Sequence, residues 1–202
     1  SEAQVSGTST CAYIHVMYHA IRQINAKNIL VIGCAAGSLP TMLDRVGCDV
    51  DVVDINPYAF SIARKYFEMP KSVTCYLMDG FKFLQKSLKE YDAIAVDAFD
   101  SDGTIPEQFR SLEFFNLVKT RLCENGIVVM NTLVESDEDK TPDDVEDAMS
   151  KANMPVILFD WPMLTHRNII IAAGNVTNIQ PVENTGIKSV RDDLRGVTLL
   201  KG

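Results

Sequence analysis

Apolar and polar positions follow two different patterns along the chain, one typical of strands and one typical of helices, and segments of the two kinds alternate. Short apolar runs such as "NILVIG" (28–33) are typical of strands buried on both faces, whereas "PYAFSIARKYF" (57–67) has the spacing of an amphipathic helix. The pattern predicts helices over 9–25, 39–46, 57–67, 81–88, 105–122 and 141–152. It predicts strands over 28–33, 49–55, 73–78, 91–99, 127–133, 155–160 and 168–174.

The regular alternation of strands and helices favours one architecture. Parallel strands need a crossover connection, which a helix supplies, so this order indicates a mostly parallel sheet covered on both faces. We therefore predict an α/β fold with a single doubly wound sheet, in one domain over 1–174. Residues 175–202 are polar without a clear period, and they are predicted to be a tail of uncertain order, either loosely ordered or docked on a partner.

Composition and charge limit the kinds of partner that the protein is expected to bind. The 202 residues include 27 acidic and 19 basic side chains, a formal charge of −8, and such a surface repels phosphate backbones, so we expect no nucleic acid partner. No apolar run approaches the roughly 20 residues of a membrane span and no secretory pattern is visible, so we expect a cytoplasmic protein that binds no membrane. Five scattered cysteines and three histidines lack metal-site spacing, which predicts reduced thiols and no metal.

Small or acidic residues stand at four consecutive predicted strand ends. The first strand runs into "GCAAGS" (33–38), where small residues let backbone N–H groups approach a ligand. Asp54 ends the second strand, Asp79 follows the third, and Asp97 and Asp100 follow the fourth. Asp54 and Asp79 also fit helix caps. Ligands of open α/β sheets bind beyond the carboxyl ends of the strands, so the four features together predict a nucleoside site.

Two classes of nucleoside are open at this point. Dinucleotide sites usually have the pattern G-x-G-x-x-G for the pyrophosphate, and here the stretch reads G-C-A-A-G-S. Asp79 before an aromatic residue also has no place in the dinucleotide pattern. We therefore favour a nucleoside of the S-adenosylmethionine (AdoMet) type.

Three stretches resemble the spermidine synthase (polyamine aminopropyltransferase) family. "VTCYLMDGFKFL" (73–84) is similar to the family's adenine-binding segment, and "YDAIAVDAFDSDGTIPEQFRSLEFFNLVKTRL" (91–122) to its Y-D-x-I-x-x-D-x-x-D-P-x-G-P stretch and the following helix. "AQVSGTSTCAYIHVMYHA" (3–20) looks like its Q-x-x-x-x-D-E-x-x-Y-H-E segment. The resemblance implies the AdoMet-dependent methyltransferase (Rossmann-like) type of fold, with a seven-stranded sheet whose last strand is antiparallel.

The resemblance also implies roles for the residues at matching positions. Donor contacts would come from Gln4 on the ribose and thioether side, Asp54 on the ribose hydroxyls, Asp79 and Gly80 at the adenine amine, and from Gly33, Ala35, Gly37 and Ile55.

The same resemblance implies the groups at the reacting centre. Asp97 would lie near that centre, Asp100 would orient and deprotonate the attacking amine, and Tyr13 would line the acceptor channel. A carboxylate suits this role because an amine attacks only after it has lost its extra proton.

The chain departs from the family pattern at positions where the family's residues bind charged groups of the ligands. Ala36 occupies the position of the family's Asp that binds the amine of decarboxylated AdoMet, and Ser9-Thr10 and Ile14-His15 replace acids that help to hold a polyamine. Asp-Pro-x-Gly-Pro becomes "DSDGT" (100–104). An uncharged loop removes the ammonium partner of decarboxylated AdoMet and tolerates the carboxylate of AdoMet better, which raises methyl transfer as an alternative.

The sequence as a whole predicts a transferase. It would move an alkyl group, by resemblance an aminopropyl group, from AdoMet or decarboxylated AdoMet to a small-molecule amine such as a polyamine. Two alternatives remain open: an AdoMet-dependent methyltransferase, and a non-catalytic nucleoside-binding homologue that is part of a larger assembly. Whether the protein forms a homodimer is also open.

Overall fold

The computed structural model describes residues 8–136, 138–182, 185 and 187–201, which form one sheet with helices on both faces. The helices are α1 (Ala12–Gln23), α2 (Ser38–Asp44), α3 (Ala59–Tyr66), α4 (Gly80–Lys86), α5 (Leu112–Lys119), α6 (Thr141–Lys151) and α7 (Lys188–Leu194). The strands are β1 (Asn28–Ile32), β2 (Asp49–Asp54), β3 (Thr74–Leu77), β4 (Tyr91–Val96), β5 (Leu122–Val134), β6 (Val156–Asp160), β7 (Arg167–Gly174) and β8 (Thr198–Lys201).

The strands lie in the order β3-β2-β1-β4-β5-β7-β6-β8. β3, β2, β1, β4 and β5 are mutually parallel, β7 is antiparallel to β5 and β6, and β8 is antiparallel to β6. The chain builds outward from β1 to β3 and then returns to place β4 on the other side of β1. The order of strands therefore reverses between β1 and β4, which is where open α/β sheets bind ligands.

Each face of the sheet buries its own hydrophobic core. Ile29 and Val31 of β1 pack into a core with α1, α2, α3 and α7, whereas Leu30 and Ile32 pack into a second core with α4, α5 and α6. Successive side chains of a strand point to opposite faces, so a strand between two cores must be apolar at every position. This is the physical reason for the continuous apolar run at 28–33.

The predicted sheet of seven strands is corrected to eight. The mostly parallel α/β fold is confirmed, but β8 adds a second antiparallel strand from the segment that was predicted to be a tail. Three of the four β8 residues are exposed, so this edge strand lacks the two-sided apolar run that predicts a central strand. In α7, Val190 and Leu194 are four positions apart and buried against the first core.

The predicted helix over 105–122 is wrong in its length. A 3₁₀ turn at Glu107–Arg110 comes first, and α5 then begins after Ser111, whose hydroxyl accepts a hydrogen bond from the backbone N–H of Phe114 at 3.1 Å. This cap starts a new helix in the middle of the predicted one. β5 also begins at Leu122 rather than at 127, because the pairing of β4 with β5 slips between Tyr91 and Ala93 and lets the strand start earlier.

None of the helices in the described ranges is both long and apolar enough to cross a membrane. All five cysteines lie within those ranges, and each is a free thiol. Cys34 and Cys48 are buried, whereas Cys11, Cys75 and Cys123 are partly exposed.

Candidate active site

A cavity of about 450 Å³ opens beyond the carboxyl ends of four parallel strands. Its walls contain eight residues from the ends of β1, β2, β3 and β4 and the loops that follow them, namely Gly33, Ala35, Asp54, Ile55, Asp79, Gly80, Asp97 and Asp100. The volume is in the range of small-molecule sites, about 300–1,000 Å³. The structure therefore brings together eight of the predicted site residues. Gln4 lies outside the described residues.

The loop after β1 lies directly against the end of β4. Gly33 has a φ of +95°, and a Cβ at this position would overlap the carbonyl oxygen of Asp97 and lie 2.8 Å from its carbonyl carbon. Only glycine permits both the conformation and the contact. Burial raises the pKa of the Cys34 thiol to about 12, so this side chain stays protonated and packs inside the loop.

The loop turns one alanine towards the cavity and the other away from it. Ala35 has a φ of +46°, is exposed and lines the cavity, whereas Ala36 is 8% exposed and does not line it. Gly37 does not line it either. Its φ is +72°, and a Cβ there would lie 2.9 Å from the sulfur of Met69, so Gly37 serves local packing.

Asp54 joins two loops at the rim of the cavity. One carboxylate oxygen accepts a hydrogen bond from the backbone N–H of Cys34 at 2.7 Å, and the other accepts one from the N–H of Asn56 at 2.7 Å. It does not cap α3, whose first turn has no side-chain cap. The carboxylate is thus held in one orientation and can still accept hydrogen bonds from ligand hydroxyls through its remaining lone pairs.

Asp79 combines a structural role with its place in the cavity. Its Oδ1 accepts a hydrogen bond from the N–H of Lys82 at 2.9 Å and so caps α4, and its Oδ2 accepts one from the amide of Gln108 at 2.8 Å. Gly80 is required beside it, because a Cβ there would lie 2.5 Å from a methyl carbon of Ile32. Gln108 and Phe109 also line the cavity. The sequence pattern did not indicate them, because it predicts one long helix where the structure has a 3₁₀ turn.

Two substitutions at Asp79 separate the cap from ligand binding. Asp79→Ser keeps a good cap and is expected to leave the free energy of unfolding within about 0.5 kcal/mol, whereas Asp79→Ala is expected to lose about 1 kcal/mol. Both remove the carboxylate, so both are expected to weaken methylthioadenosine binding about tenfold or more, since a hydrogen bond to a charged group contributes about 1.5–3 kcal/mol. Urea denaturation and calorimetry measure the two effects. Unchanged binding in both variants would remove Asp79 from the ligand site.

A second cavity, of about 210 Å³, adjoins the first. We call the first the donor cavity and this one the inner cavity. Both are lined by Ala35, Asp97 and Phe99, and the inner cavity is also lined by Tyr13, Asn131 and Asn168. Asp97 therefore stands where the two cavities meet.

A chain of amide groups holds Asp97. The Asn131 amide donates a hydrogen bond to Asp97 Oδ1 at 2.8 Å, and the Asn168 amide donates one to Asn131 Oδ1 at 2.9 Å. Burial raises the pKa of Asp97, and the hydrogen bonds from Asn131 and Tyr13 offset this only in part. A buried carboxylate also acts more strongly on a nearby positive charge than a fully solvated one, because less water screens it.

Asp100 belongs to a compact turn that follows β4 and lines the donor cavity. Its backbone N–H donates to the carbonyl of Thr104 at 2.8 Å, and its own carbonyl accepts from the N–H of Gly103 at 3.0 Å. Asp102 closes the turn, since its Oδ1 accepts hydrogen bonds from the N–H and the hydroxyl of Thr104 at 3.0 and 2.7 Å. The turn is thus built without the prolines of the family pattern, and it leaves the Asp100 side chain exposed at the cavity.

A metal has no obvious place in the part of the chain that the structure describes, because those residues form no group of three or more His, Cys, Asp or Glu side chains suited to hold one. Asp54, Asp79 and Asp97 instead accept hydrogen bonds from backbone and side-chain amides. What they offer chemically is hydrogen-bond acceptance and negative charge next to an uncharged loop.

Comparison with known proteins identifies the same region. The chain matches the family described as "Spermine/spermidine synthase domain" over residues 10–178. It is 33% identical over 115 residues to a probable polyamine aminopropyl transferase of Bifidobacterium longum, covering 56% of this chain and 26% of that protein. It is 32% identical over 119 residues to an N-terminal histidine N-methyltransferase of Emericella nidulans, covering 56% of this chain and 21% of that protein. The chain thus spans about a quarter or less of the length of these relatives.

Solved structures show the same fold. A probable spermidine synthase from Corynebacterium glutamicum superposes with a TM-score of 0.80 at 18% identity, over 98% of this chain and 77% of that one. A spermidine synthase in complex with the transition state analogue AdoDATO superposes with a TM-score of 0.71 at 16% identity, over 84% of this chain and 64% of that one. At these identities the likeness is one of fold.

Proposed function

The chain belongs to the spermine/spermidine synthase domain family, and we propose that it is a transferase that moves an aminopropyl group from decarboxylated AdoMet to a small-molecule amine. The observation that carries the proposal is the meeting of two cavities at Asp97. Group transfer needs a donor and an acceptor aligned on either side of one reacting carbon, and two adjoining cavities provide such an alignment.

The donor cavity suits the nucleoside part of the donor. We assign the ribose hydroxyls to Asp54, which two backbone N–H groups hold in place. The adenine amine is assigned to Asp79, with Gly80 keeping the wall flat. The sulfonium then lies towards Ala35 and Asp97, where the two cavities meet and where negative charge is available to a cation.

The reaction that fits this geometry is an in-line displacement. The acceptor nitrogen attacks the carbon bonded to sulfur, the new C–N bond forms as the C–S bond breaks, and the electron pair of that bond stays on sulfur in the methylthioadenosine that leaves. The extra proton of the nitrogen passes to a carboxylate, which we assign to Asp100, while Asp97 stabilises the positive charge at the reacting centre.

Methyl transfer from AdoMet is the second candidate, and the uncharged donor loop favours it. Ala35 is the loop residue between Gly33 and Gly37 that faces both cavities, and it offers no partner for an ammonium group. The relative from Emericella nidulans carries the name of an N-methyltransferase. The two reactions differ in the donor, so the choice of donor distinguishes them.

Calorimetric titration with methylthioadenosine, decarboxylated AdoMet and AdoMet tests the proposal. We expect methylthioadenosine to bind. Although the loop offers no partner for an ammonium group, four carboxylates line the donor cavity and repel the carboxylate of AdoMet, so we expect decarboxylated AdoMet to bind more tightly than AdoMet. A preference for AdoMet would favour methyl transfer, and binding of none of the three would contradict the nucleoside site.

Ala35→Asp is the variant that sharpens the same experiment. Aspartate tolerates the positive φ of this position, and its carboxylate would attract the ammonium of decarboxylated AdoMet and repel the carboxylate of AdoMet. The ratio of the two affinities is expected to move about tenfold towards decarboxylated AdoMet, which corresponds to about 1.4 kcal/mol. Ala35→Asn is the control, because it has nearly the same shape without the charge.

A further inference from the structure

A third cavity, of about 430 Å³, adjoins the inner cavity on the side away from the donor. We call it the outer cavity. Tyr13 and Asn168 line both the inner and the outer cavity, so the donor, inner and outer cavities form a continuous series in which each neighbouring pair shares residues. An acceptor whose nitrogen lies beside Asp97 can therefore extend into the outer cavity.

One part of the lining of the outer cavity is apolar. It contains Trp161, Met163 and Leu164 from the loop between β6 and β7. Met163 is 89% and Leu164 52% exposed, and exposed apolar side chains grouped at a cavity are typical of a binding surface.

The apolar loop is held in position rather than loosely attached. The indole N–H of Trp161 donates to the backbone carbonyl of Asp193 at 3.0 Å, and the guanidinium of Arg167 donates to the carbonyl of Leu164 at 2.9 Å. Arg167 also forms an ion pair with Asp160 at 2.6 Å. The apolar side chains therefore sit on a loop that is fixed at both ends, which lowers the entropy cost of binding.

Charge along the path does not suit a linear polyamine. A polyamine carries an ammonium group every few carbons, and each needs a carboxylate or an equivalent acceptor when it is desolvated. Among the described residues that line the inner cavity, Asp97 is the one acid. In the outer cavity Asp192 and Asp193 are both exposed to solvent, Asp192 is paired with Arg195 at 3.5 Å, and the cationic Arg167 also lines the cavity.

We propose that the acceptor is an arylalkylamine: one amine, placed beside Asp97, joined by a short alkyl chain to an aromatic body that lies against Trp161, Met163 and Leu164. The inference rests on the proposed transferase function, and it names the class of acceptor for that site. Burial of the aromatic ring and the alkyl chain against the exposed side chains of Met163 and Leu164 supplies the affinity that a polyamine would draw from carboxylates.

Three matched amines test the class of acceptor, namely phenylbutylamine, butylamine and diaminobutane. They share a four-carbon chain and differ in what stands at its far end. With the donor that the protein binds, product formation followed by mass spectrometry is expected to give kcat/KM for phenylbutylamine about tenfold or more above butylamine, with diaminobutane no better than butylamine. A clear preference for diaminobutane would overturn the inference and assign its distal ammonium to Asp193.

Leu164→Asp and Met163→Asp place a carboxylate in the apolar wall. Both are expected to abolish most of the advantage of phenylbutylamine and to improve diaminobutane, and using two exposed positions guards against a folding defect in either one. Leu88→Asp is the control, because Leu88 is 87% exposed and lines none of the three cavities. An unchanged preference in both loop variants would overturn the inference.

A binding measurement separates failure of this inference from failure of the proposed function. Calorimetry of phenylbutylamine with protein saturated with methylthioadenosine reports the acceptor site without any transfer. Binding that Leu164→Asp weakens about tenfold, together with no transfer from either donor, would support the acceptor site and contradict the transferase function. No binding of phenylbutylamine would overturn the acceptor site.

Discussion

Asp100→Asn is expected to lower kcat for group transfer by roughly 10²- to 10⁴-fold, the usual range for a general base, and Asp97→Asn by roughly 10²- to 10³-fold, because it removes the charge that stabilises the reacting centre. Only Asp97→Asn is expected to make the protein more stable. Asparagine keeps the size and a hydrogen-bond acceptor at both positions but takes up no proton. Methylthioadenosine carries no positive charge, so its affinity is expected to stay nearly unchanged in both variants. Steady-state kinetics and calorimetry measure the two quantities.

The difference in stability follows from the pKa of Asp97. Burial raises this pKa above its ordinary value of 3.8, so the ionised side chain costs folding free energy at neutral pH, whereas Asp100 is exposed. Asp97→Asn removes that cost. The gain in the free energy of unfolding is expected to be full above the pKa of folded Asp97 and to vanish as the pH falls below 3.8.

Asp102→Asn is the matched control for Asp100, because it lies in the same turn but lines neither the donor nor the inner cavity. An asparagine oxygen at this position can accept the same hydrogen bonds from Thr104, so the turn is preserved. We expect normal kcat in this variant. A loss in Asp102→Asn as large as that in Asp100→Asn would show that the turn, and not the carboxylate of Asp100, matters for the reaction.

The place of the cavity was predictable from local patterns, because the ends of parallel strands meet at one edge of the sheet. Asp54, Asp79 and Asp97 each follow an apolar run, and the structure places all three in one cavity. The direction in which a loop residue points was not predictable in this way. The position that the resemblance aligned with a donor-binding acid, Ala36, is buried, and the left-handed φ of Ala35 turns that side chain to the cavity instead.

The hydrogen-bonded amide chain that holds Asp97 was not predictable from the sequence, for a different reason. The one sequence feature that marks Asn131 is that it is a polar residue within an apolar strand. In the structure its side chain is buried, at 2% exposure. Its partners are fixed by the parallel pairing of β4 with β5 and the antiparallel pairing of β5 with β7, which bring together residues that are 34 and 37 positions apart. Such pairing depends on the whole sheet, and no short sequence pattern encodes it.

Gly33→Ala is expected to have the largest effect on folding, a loss of about 3–5 kcal/mol in the free energy of unfolding, which is a large part of the total for a protein of this size. Two costs add. Alanine must adopt a φ of +95°, and its Cβ would overlap the backbone carbonyl of Asp97, which cannot rotate away as a flexible side chain can. Urea denaturation measures the loss, with the same slope of the free energy of unfolding against urea concentration used for the variant and the original protein.

Gly47→Ala is the control that isolates the contact with Asp97. Gly47 has a φ of +80°, but no atom lies within 4 Å of the position that its Cβ would take, so this variant carries the conformational cost alone, about 1–2 kcal/mol. The excess loss in Gly33→Ala then measures how tightly the donor loop packs on the end of β4. Any relaxation must move either the loop or Asp97, so methylthioadenosine binding is expected to be lost in Gly33→Ala and kept in Gly47→Ala. Equal losses of stability in the two variants would mean that the loop does not pack against Asp97 in solution.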